Sequence, residues 1–202
     1  IAGFEVSLRS LEKTGQMPHF AFYLLSDTQD PDIARNELKA WNALTARLGD
    51  LAKHTFYRRR DDNKHRKVGN LTDFCERWGS QYDHMIVLDA DSIMTGQCML
   101  ELTSSMISNP KSGLIQTIPI PVRQDTFFGR FLQFASILYS PMLATGSAFW
   151  QTNQANYWGH NAIIRVEAFT KCCGLPVLKG NAPFGGEILS HDFVEASLLH
   201  RS

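Results

Sequence analysis

Residues 85–94 read MIVLDADSIM, an apolar run from Met85 to Leu88 that drives into two aspartates, Asp89 and Asp91, separated by one alanine. Four apolar residues ending at a polar cluster predict a buried strand that surfaces at its C-terminal edge. Side chains two apart on an extended segment project the same way, so both carboxylates are expected to face one point. Like charges that close repel unless something positive lies between them. A hard divalent cation carrying phosphate oxygens meets that need, because Mg²⁺ takes one or two carboxylates and leaves its other positions to water and substrate. The stretch alone is equally compatible with Asp91 and Ser92 capping the following helix.

On either side of this stretch, strand and helix patterns alternate. HFAFYLLSD (19–27) predicts a strand, and PDIARNELKAWNALTARLG (31–49) a helix with Pro31 in its first turn and Gly49 at its end. A strand around HTFYR (54–58) leads through a basic loop to a helix near Gly69–Trp78. After the aspartates come a helix over about 96–108, a strand GLIQTIPI (113–120) and a long helix over about 125–147. This alternation predicts an α/β fold with a Rossmann-like, mostly parallel sheet and helices on both faces. Ligands of such sheets bind beyond the C-terminal strand ends. Ser26-Asp27, Arg58–Arg60 and Asp89/Asp91 are all predicted to fall there.

At 202 residues and 22.8 kDa the chain has the size of one domain. Twenty basic and twenty acidic side chains cancel, which removes any global electrostatic case for a nucleic-acid partner. Cys75, Cys98, Cys172 and Cys173 form no C-x-x-C pair, so neither zinc nor a disulfide framework is expected, and a reduced, cytosol-facing location is the default. The opening IAGFEVSLRSLEKTG carries charges at helical spacing and closes on Gly15, unlike a signal peptide. It also begins inside a helical pattern, the expectation being a piece of a larger protein. From Phe131 to Ile164 there is no Asp, Glu, Lys or Arg, yet polar residues interrupt the stretch too often for a spanning helix. A core helix is the expected form, ahead of an interfacial helix lying on a membrane.

Three further segments carry chemistry. YRRRDDNKHRKVGN (57–70) concentrates six Arg and Lys residues at a strand end, where a solvated loop and a phosphate clamp are both open. Gly69 and Asn70 are expected to open the next helix and offer its N–H groups to an anion. In SHDFVEASLLH (190–200), Asp192 with Glu195 makes a capping box, and a carboxylate held there is also placed to accept a proton. In NYWGHNAIIR (156–165), Trp158 offers an aromatic face for a sugar, and Gly159 allows close backbone approach beside His160 and Asn161.

Taken in order, SDT (26–28), RRR…K-x-GN (58–70), VLDADS (87–92), IQT (115–117), YWGHNAIIR (157–165) and LSHDFVEA (189–196) resemble the processive family 2 glycosyltransferases over nearly the whole chain. Within that family the pattern is most similar to the bacterial inner-membrane enzymes that build osmoregulated periplasmic glucan. The resemblance implies a GT-A nucleotide-diphospho-sugar transferase domain on the cytoplasmic face of the inner membrane, anchored through segments outside this chain. It implies UDP-glucose as donor, a β-1,2-glucan acceptor and a divalent metal, Mg²⁺ or Mn²⁺. Residue by residue, Asp27 matches the uracil-side aspartate, and Asp89 and Asp91 match the D-x-D, with Asp91 on the metal. Lys67, Gly69, Asn70, Gly159, His160 and Asn161 fall on the donor side, Trp158 and His191 toward the acceptor. Asp192 matches the general base of the family's T-E-D, here Ser190-His191-Asp192. The family's P-x-Y-N-E strand and its Q-x-x-R-W motif have no counterpart, so the first strand is expected to be lacking and the isolated chain to be inactive.

Two rivals stand beside this reading. An aspartate-nucleophile phosphatase or phosphotransferase also places D-x-D after a strand, with Asp89 phosphorylated, but prefers the first strand and Thr or Val where Ile93 stands. A non-catalytic nucleotide-sugar-binding domain would leave Asp192 away from the cleft.

Overall fold

Each strand is short and hands the chain to a helix. The computed structural model describes residues 1–152, 156–173, 178–181, 185, 186, 188 and 191–201. Among them the order is α1 (Ala2–Glu12), β1 (Phe22–Ser26), α2 (Pro31–Leu48), β2 (Thr55–Arg59), α3 (Arg66–Trp78), β3 (His84–Val87), α4 (Gly96–Ser108), β4 (Leu114–Gln116), α5 (Phe127–Gln151), β5 (Ala162–Arg165), α6 (Val166–Cys172) and α7 (His191–Arg201).

Local chemistry sets the helix ends. The Asp30 carboxylate accepts from the N–H groups of Asp32 and Ile33, Pro31 fills the first turn of α2, and Gly49 ends it at φ +55°. Helix α4 is capped by Thr95, whose hydroxyl accepts from the Cys98 N–H at 3.2 Å. Capping by Asp91 or Ser92 is therefore ruled out. Helix α3 starts at Arg66, earlier than expected, after His65 in the left-handed region at φ +55°. Gly69 and Asn70 thus lie inside it, and the Gly69 N–H is already bonded to the His65 carbonyl, which corrects the expectation that they open the helix.

β1 and β2 pair in parallel from Phe22–Thr55 to Ser26–Arg59. β3 and β4 run in the same sense on either side of β5, which is antiparallel to both, with Ile163 opposite Ile86 and Ile115. The expected α/β fold is present; among the described residues its strands form two sheets, the parallel pair β1–β2 and the three-stranded β3–β5–β4, in which β5 is the reversed strand. Because β5 starts where β3 ends, with the Asn161 N–H bonded to the Val87 carbonyl at 2.7 Å, Gly159–Asn161 arrive beside Asp89.

Alternate strand residues enter two different cores, as a sheet buried on both faces requires. Leu24, Tyr57, Ile86, Ile115 and Ile163 pack with Leu8, Leu44 and Met99 of α1, α2 and α4. Tyr23, Leu25, Met85, Leu114 and Ile164 pack with Phe74, Phe169 and Leu199 of α3, α6 and α7. Helices cover both faces.

Helix α5 corrects the expectation of a core helix. Gly129 is its one buried residue, Phe127 is 90% exposed and Trp150 83%, and neither core contains an α5 side chain. A charge-free stretch states that side chains prefer to leave water, not what removes them. Here both sheet faces are already filled by other helices. No helix of the described residues is long and apolar enough to cross a membrane.

Candidate active site

A chain of polar contacts crosses the C-terminal ends of β1, β2 and β3. After β1, Asp27 accepts a two-point bond from Arg60, Nε at 2.6 Å and Nη2 at 2.8 Å, and Arg60 also donates to the Arg66 carbonyl at 2.8 Å. Such a fork on a carboxylate is among the stronger polar contacts a protein makes. It ties the end of β2 to the start of α3. A side chain on Gly69 would meet the Lys64 carbonyl and His65 and come within 3.1 Å of Arg60 Nη1, so this residue must be glycine for the loop to fold back. From the first turn of α3, Lys67 reaches Asp89 and forms an ion pair with it. His160 Nε2 stands 3.9 Å from the other Asp89 oxygen.

Asp192 closes the group from the opposite side. A β-carbon on Gly159 would lie 3.1 Å from Asp192 Oδ2 and 3.8 Å from Lys67 Nζ, and Gly159 has φ +82°. The Asp192 carboxylate and the Lys67 ammonium therefore converge on one bare backbone position. Position 159 is glycine for two reasons, the left-handed backbone and the space. Asp192 and His191 sit in the first turn of α7, so Asp192 is not a helix cap; Ser190 lies outside the described residues.

Behind Asp192 is a buried polar cluster. His191 Nδ1 is 3.4 Å from both Asp192 Oδ1 and Glu195 Oε2, and Glu195 is fully buried. Tyr157 is buried beside them; burial first, then the negative charges of Glu195, Asp192 and Asp89, push its phenol up. Sequence reasoning missed Tyr157 and missed Glu195 as more than a cap. An acid inside an apolar helix face was the available signal.

Gln116 and Thr117 were noted in a motif but given no role, and they brace the glycine segment. Gln116 accepts from the Trp158 N–H at 3.1 Å and donates to the carbonyls of His160 and Asn161 at 2.9 and 3.2 Å. The Thr117 hydroxyl donates to the Asn161 carbonyl at 2.6 Å. Asn161, at φ +53°, is buried, while Trp158 is 43% exposed at the mouth of the group.

Two expectations do not hold geometrically. β3 stops at Val87, and the chain turns over Asp89–Ser92 with the Ser92 N–H bonded to the Asp89 carbonyl, so Asp89 and Asp91 are not alternate side chains of an extended strand. Asn70 is buried and faces the core: it donates to the Leu25 carbonyl and accepts from Arg58, whose guanidinium also pairs with Asp73 at 3.2 Å. Asn70 and Arg58 thus brace α3 against β1 and β2.

Asp91 is exposed and engages no hydrogen bond or ion pair among the described residues, where no cluster of three metal-ligating side chains occurs either. A cation here would take most of its ligands from water and substrate, which is how Mg²⁺ binds. The donor set fits that class of metal, with Asp91 available and Asp89 already neutralised by Lys67.

The sequence model of glycosyl transferase family 2 matches residues 7–173. The chain is similar to the glucans biosynthesis glucosyltransferase H of Dickeya dadantii (strain 3937), at 49% identity over 201 residues, covering 100% of this chain and 24% of that protein. Proteins of the same name from Nitrosomonas europaea and Escherichia coli (strain K12) match at 49% identity over the same length, covering 23% and 24% of theirs. The chain thus spans about a quarter of the length of these relatives.

Proposed function

The chain belongs to glycosyl transferase family 2, and from that premise we propose that these residues form the site of an inverting glucosyltransferase. It moves glucose from UDP-glucose to a hydroxyl of a growing β-1,2-glucan, on the cytoplasmic face of the bacterial inner membrane. The observation that carries this reading is the convergence of Asp192 and Lys67 on Gly159 beside Asp89.

Asp192 takes the proton of the acceptor hydroxyl as that oxygen bonds to the anomeric carbon. The bond between that carbon and the diphosphate breaks on the opposite face, which inverts the centre, and UDP leaves. Lys67 stands where negative charge develops on the departing diphosphate, held in place by Asp89. Asp27, fixed by Arg60, forms the uridine side with Asp89. Gly69 lets the loop before α3 fold close to Arg60. Gly159, His160 and Asn161 form the floor against which the sugar lies, and Trp158 and His191 face the acceptor. Asp91 would hold a divalent metal, which supplies further positive charge against the diphosphate when bound.

Positioning supplies most of the acceleration, since oriented groups replace a bimolecular encounter. Phosphotransfer through Asp89 is set aside, because that carboxylate is paired with Lys67 and the family is one of glycosyl transfer. A purely binding role does not call for a carboxylate at Asp192 against the glycine floor.

The test uses membranes carrying the full-length polypeptide, incubated with UDP-glucose, a divalent cation and β-1,2-glucan oligomers. Oligomers lengthened by 1,2-linked glucose, read by mass spectrometry and linkage analysis, are expected. Elongation from another sugar nucleotide and none from UDP-glucose would overturn the donor assignment.

A further inference from the structure

Four buried polar atoms beside Asp192 have no hydrogen-bond partner among the described residues: the Tyr157 hydroxyl oxygen, His191 Nδ1, and Glu195 Oε1 and Oε2. Folded proteins seldom leave such atoms unpaired, and a catalytic role is one of the few reasons they do. His191 and Glu195 are four apart on α7 and share a face. An ion pair at that spacing is ordinarily solvated, but here the Glu195 side chain is 1% exposed and that of His191 15%. An apolar side chain would fill the same space without the cost of removing an acid from water, so packing does not account for glutamate at 195.

The two oxygens of Asp192 have different surroundings. Oδ2 lies against Gly159, 3.1 Å from where a β-carbon would stand, and Lys67 Nζ is 3.8 Å from the same point. Oδ1 is 3.4 Å from His191 Nδ1, and Nδ1 is 3.4 Å from Glu195 Oε2. A carboxylate only accepts, so an imidazole nitrogen set between two of them fits when it carries the hydrogen. Glu195 thus selects the Nδ1–H tautomer of His191, as the partner of a histidine generally does. Contacts of this length are usual in a free enzyme and tighten when substrate binds. Tyr157 completes the cluster: burial first, then the charges of Glu195, Asp192 and Asp89, push its phenol up, so it remains a donor among these acids.

We infer that Glu195 and His191 are the positioning pair of the base: Glu195 holds His191 with its Nδ1–H toward Asp192 Oδ1, and His191 leaves Asp192 Oδ2 aimed at the acceptor hydroxyl. The inference rests on the reading of Asp192 as that base. Glu195 is too deeply buried to meet a substrate, so it acts only through His191. The Nδ1 edge of His191 is turned inward, which leaves the rest of the ring to face the acceptor. In each transfer the acceptor O–H bond breaks and an O–H bond forms at Oδ2. Asp192 then accepts less strongly, and the Nδ1–H turns to Glu195 Oε2 without leaving the ring. The proton held at Oδ2 passes to water before the next transfer, and the Nδ1–H returns to Asp192.

The test measures glucan elongation and UDP-glucose affinity in membranes carrying the full-length polypeptide and its variants. Glu195→Gln keeps the shape but not the acceptor-only group; elongation should fall about 10²-fold, the effect of a base misplaced by about 1 Å, with UDP-glucose affinity kept. His191→Leu should fall as far. His191→Asn, whose side-chain N–H stands near the place of Nδ1–H, should recover most of that loss, whereas a side chain that only fills space is served better by Leu than by Asn. Added to Asp192→Asn, Glu195→Gln should cost nothing further, because residues that act as a unit are not additive. If Glu195→Gln is not recovered folded, the contrast between His191→Asn and His191→Leu decides. Near wild-type elongation in Glu195→Gln and His191→Leu, with Asp192→Asn lost, would overturn the pairing and leave the base in place. Equal losses in His191→Asn and His191→Leu, or a further loss in Asp192→Asn/Glu195→Gln, would assign the pair to packing. Elongation kept in Asp192→Asn itself would overturn the base, and the pairing with it.

Discussion

Asp192 Oδ2 lies against Gly159, 3.1 Å from where any side chain there would begin, and Gly159 holds φ +82° to permit it. The carboxylate proposed to take the acceptor proton is thus seated against a missing β-carbon.

Gly159→Ala should therefore displace Asp192 and strain the backbone. A left-handed conformation costs an L-residue about 1–2 kcal/mol. A misplacement of about 1 Å can lower turnover ~10²-fold. In the full-length polypeptide we expect transfer to fall by that order with UDP affinity nearly kept, measured by glucan synthesis and calorimetry in parallel. Wild-type turnover in this variant would show that Asp192 does not work against this floor.

UDP binding should depend on a divalent cation through Asp91. Calorimetry is expected to show affinity for UDP lost on adding EDTA to the wild type, and already low and insensitive to EDTA in Asp91→Asn. The melting temperature should not change, because Asp91 is exposed and unpaired among the described residues. Equal affinity with and without EDTA in the wild type would remove the metal assignment.

Asn70→Ala should do the reverse. It strips the buried partner of Arg58 and of the Leu25 carbonyl, and an unsatisfied buried group costs about 1–3 kcal/mol. Urea unfolding should report a loss of that size with UDP affinity unaltered. A loss of UDP affinity at full stability would return Asn70 to the donor site.

Acid should destabilise the chain through His84. Burial first, then the charge of Arg165, holds its imidazole below the ordinary value of 6.5. The unfolded chain then binds the proton more readily, so this contribution is complete above that value and is lost as pH falls through it. Melting temperatures measured from neutral to mildly acidic pH should fall less steeply in His84→Gln than in the wild type. Parallel curves would assign the acid sensitivity elsewhere.

Much of the fold was legible because its signals are local. Pro31 and Gly49 bracket α2, the span of α4 was readable from its pattern, and Met85–Leu88 announce β3. The reversal of β5 was not legible, since pairing partners are chosen across the chain: Ile163 meets Ile86 and Ile115 only after α4 and α5 have been placed. In the site, the expected Asp27, Lys67, Asp89, Gly159, His160 and Asp192 come together. What holds them does not show locally. Arg60 finds Asp27 across 33 positions, and Gln116 finds the His160 carbonyl across 44. Asn70 misled because a polar residue after glycine near a helix start looks like an anion site, whereas α3 begins earlier and turns that amide inward. Helix α5 misled because an apolar composition does not say whether the core has room for it, and both cores are filled by other helices.

The most direct test of the account is Asp192→Asn in the full-length polypeptide, with UDP-glucose affinity and glucan elongation measured on the same preparation. The base acts on the acceptor, so the account predicts elongation reduced by about 10²- to 10⁴-fold with donor affinity nearly unchanged. Elongation within about tenfold of wild type, well short of that range, would contradict it and leave Asp192 as a structural residue of α7.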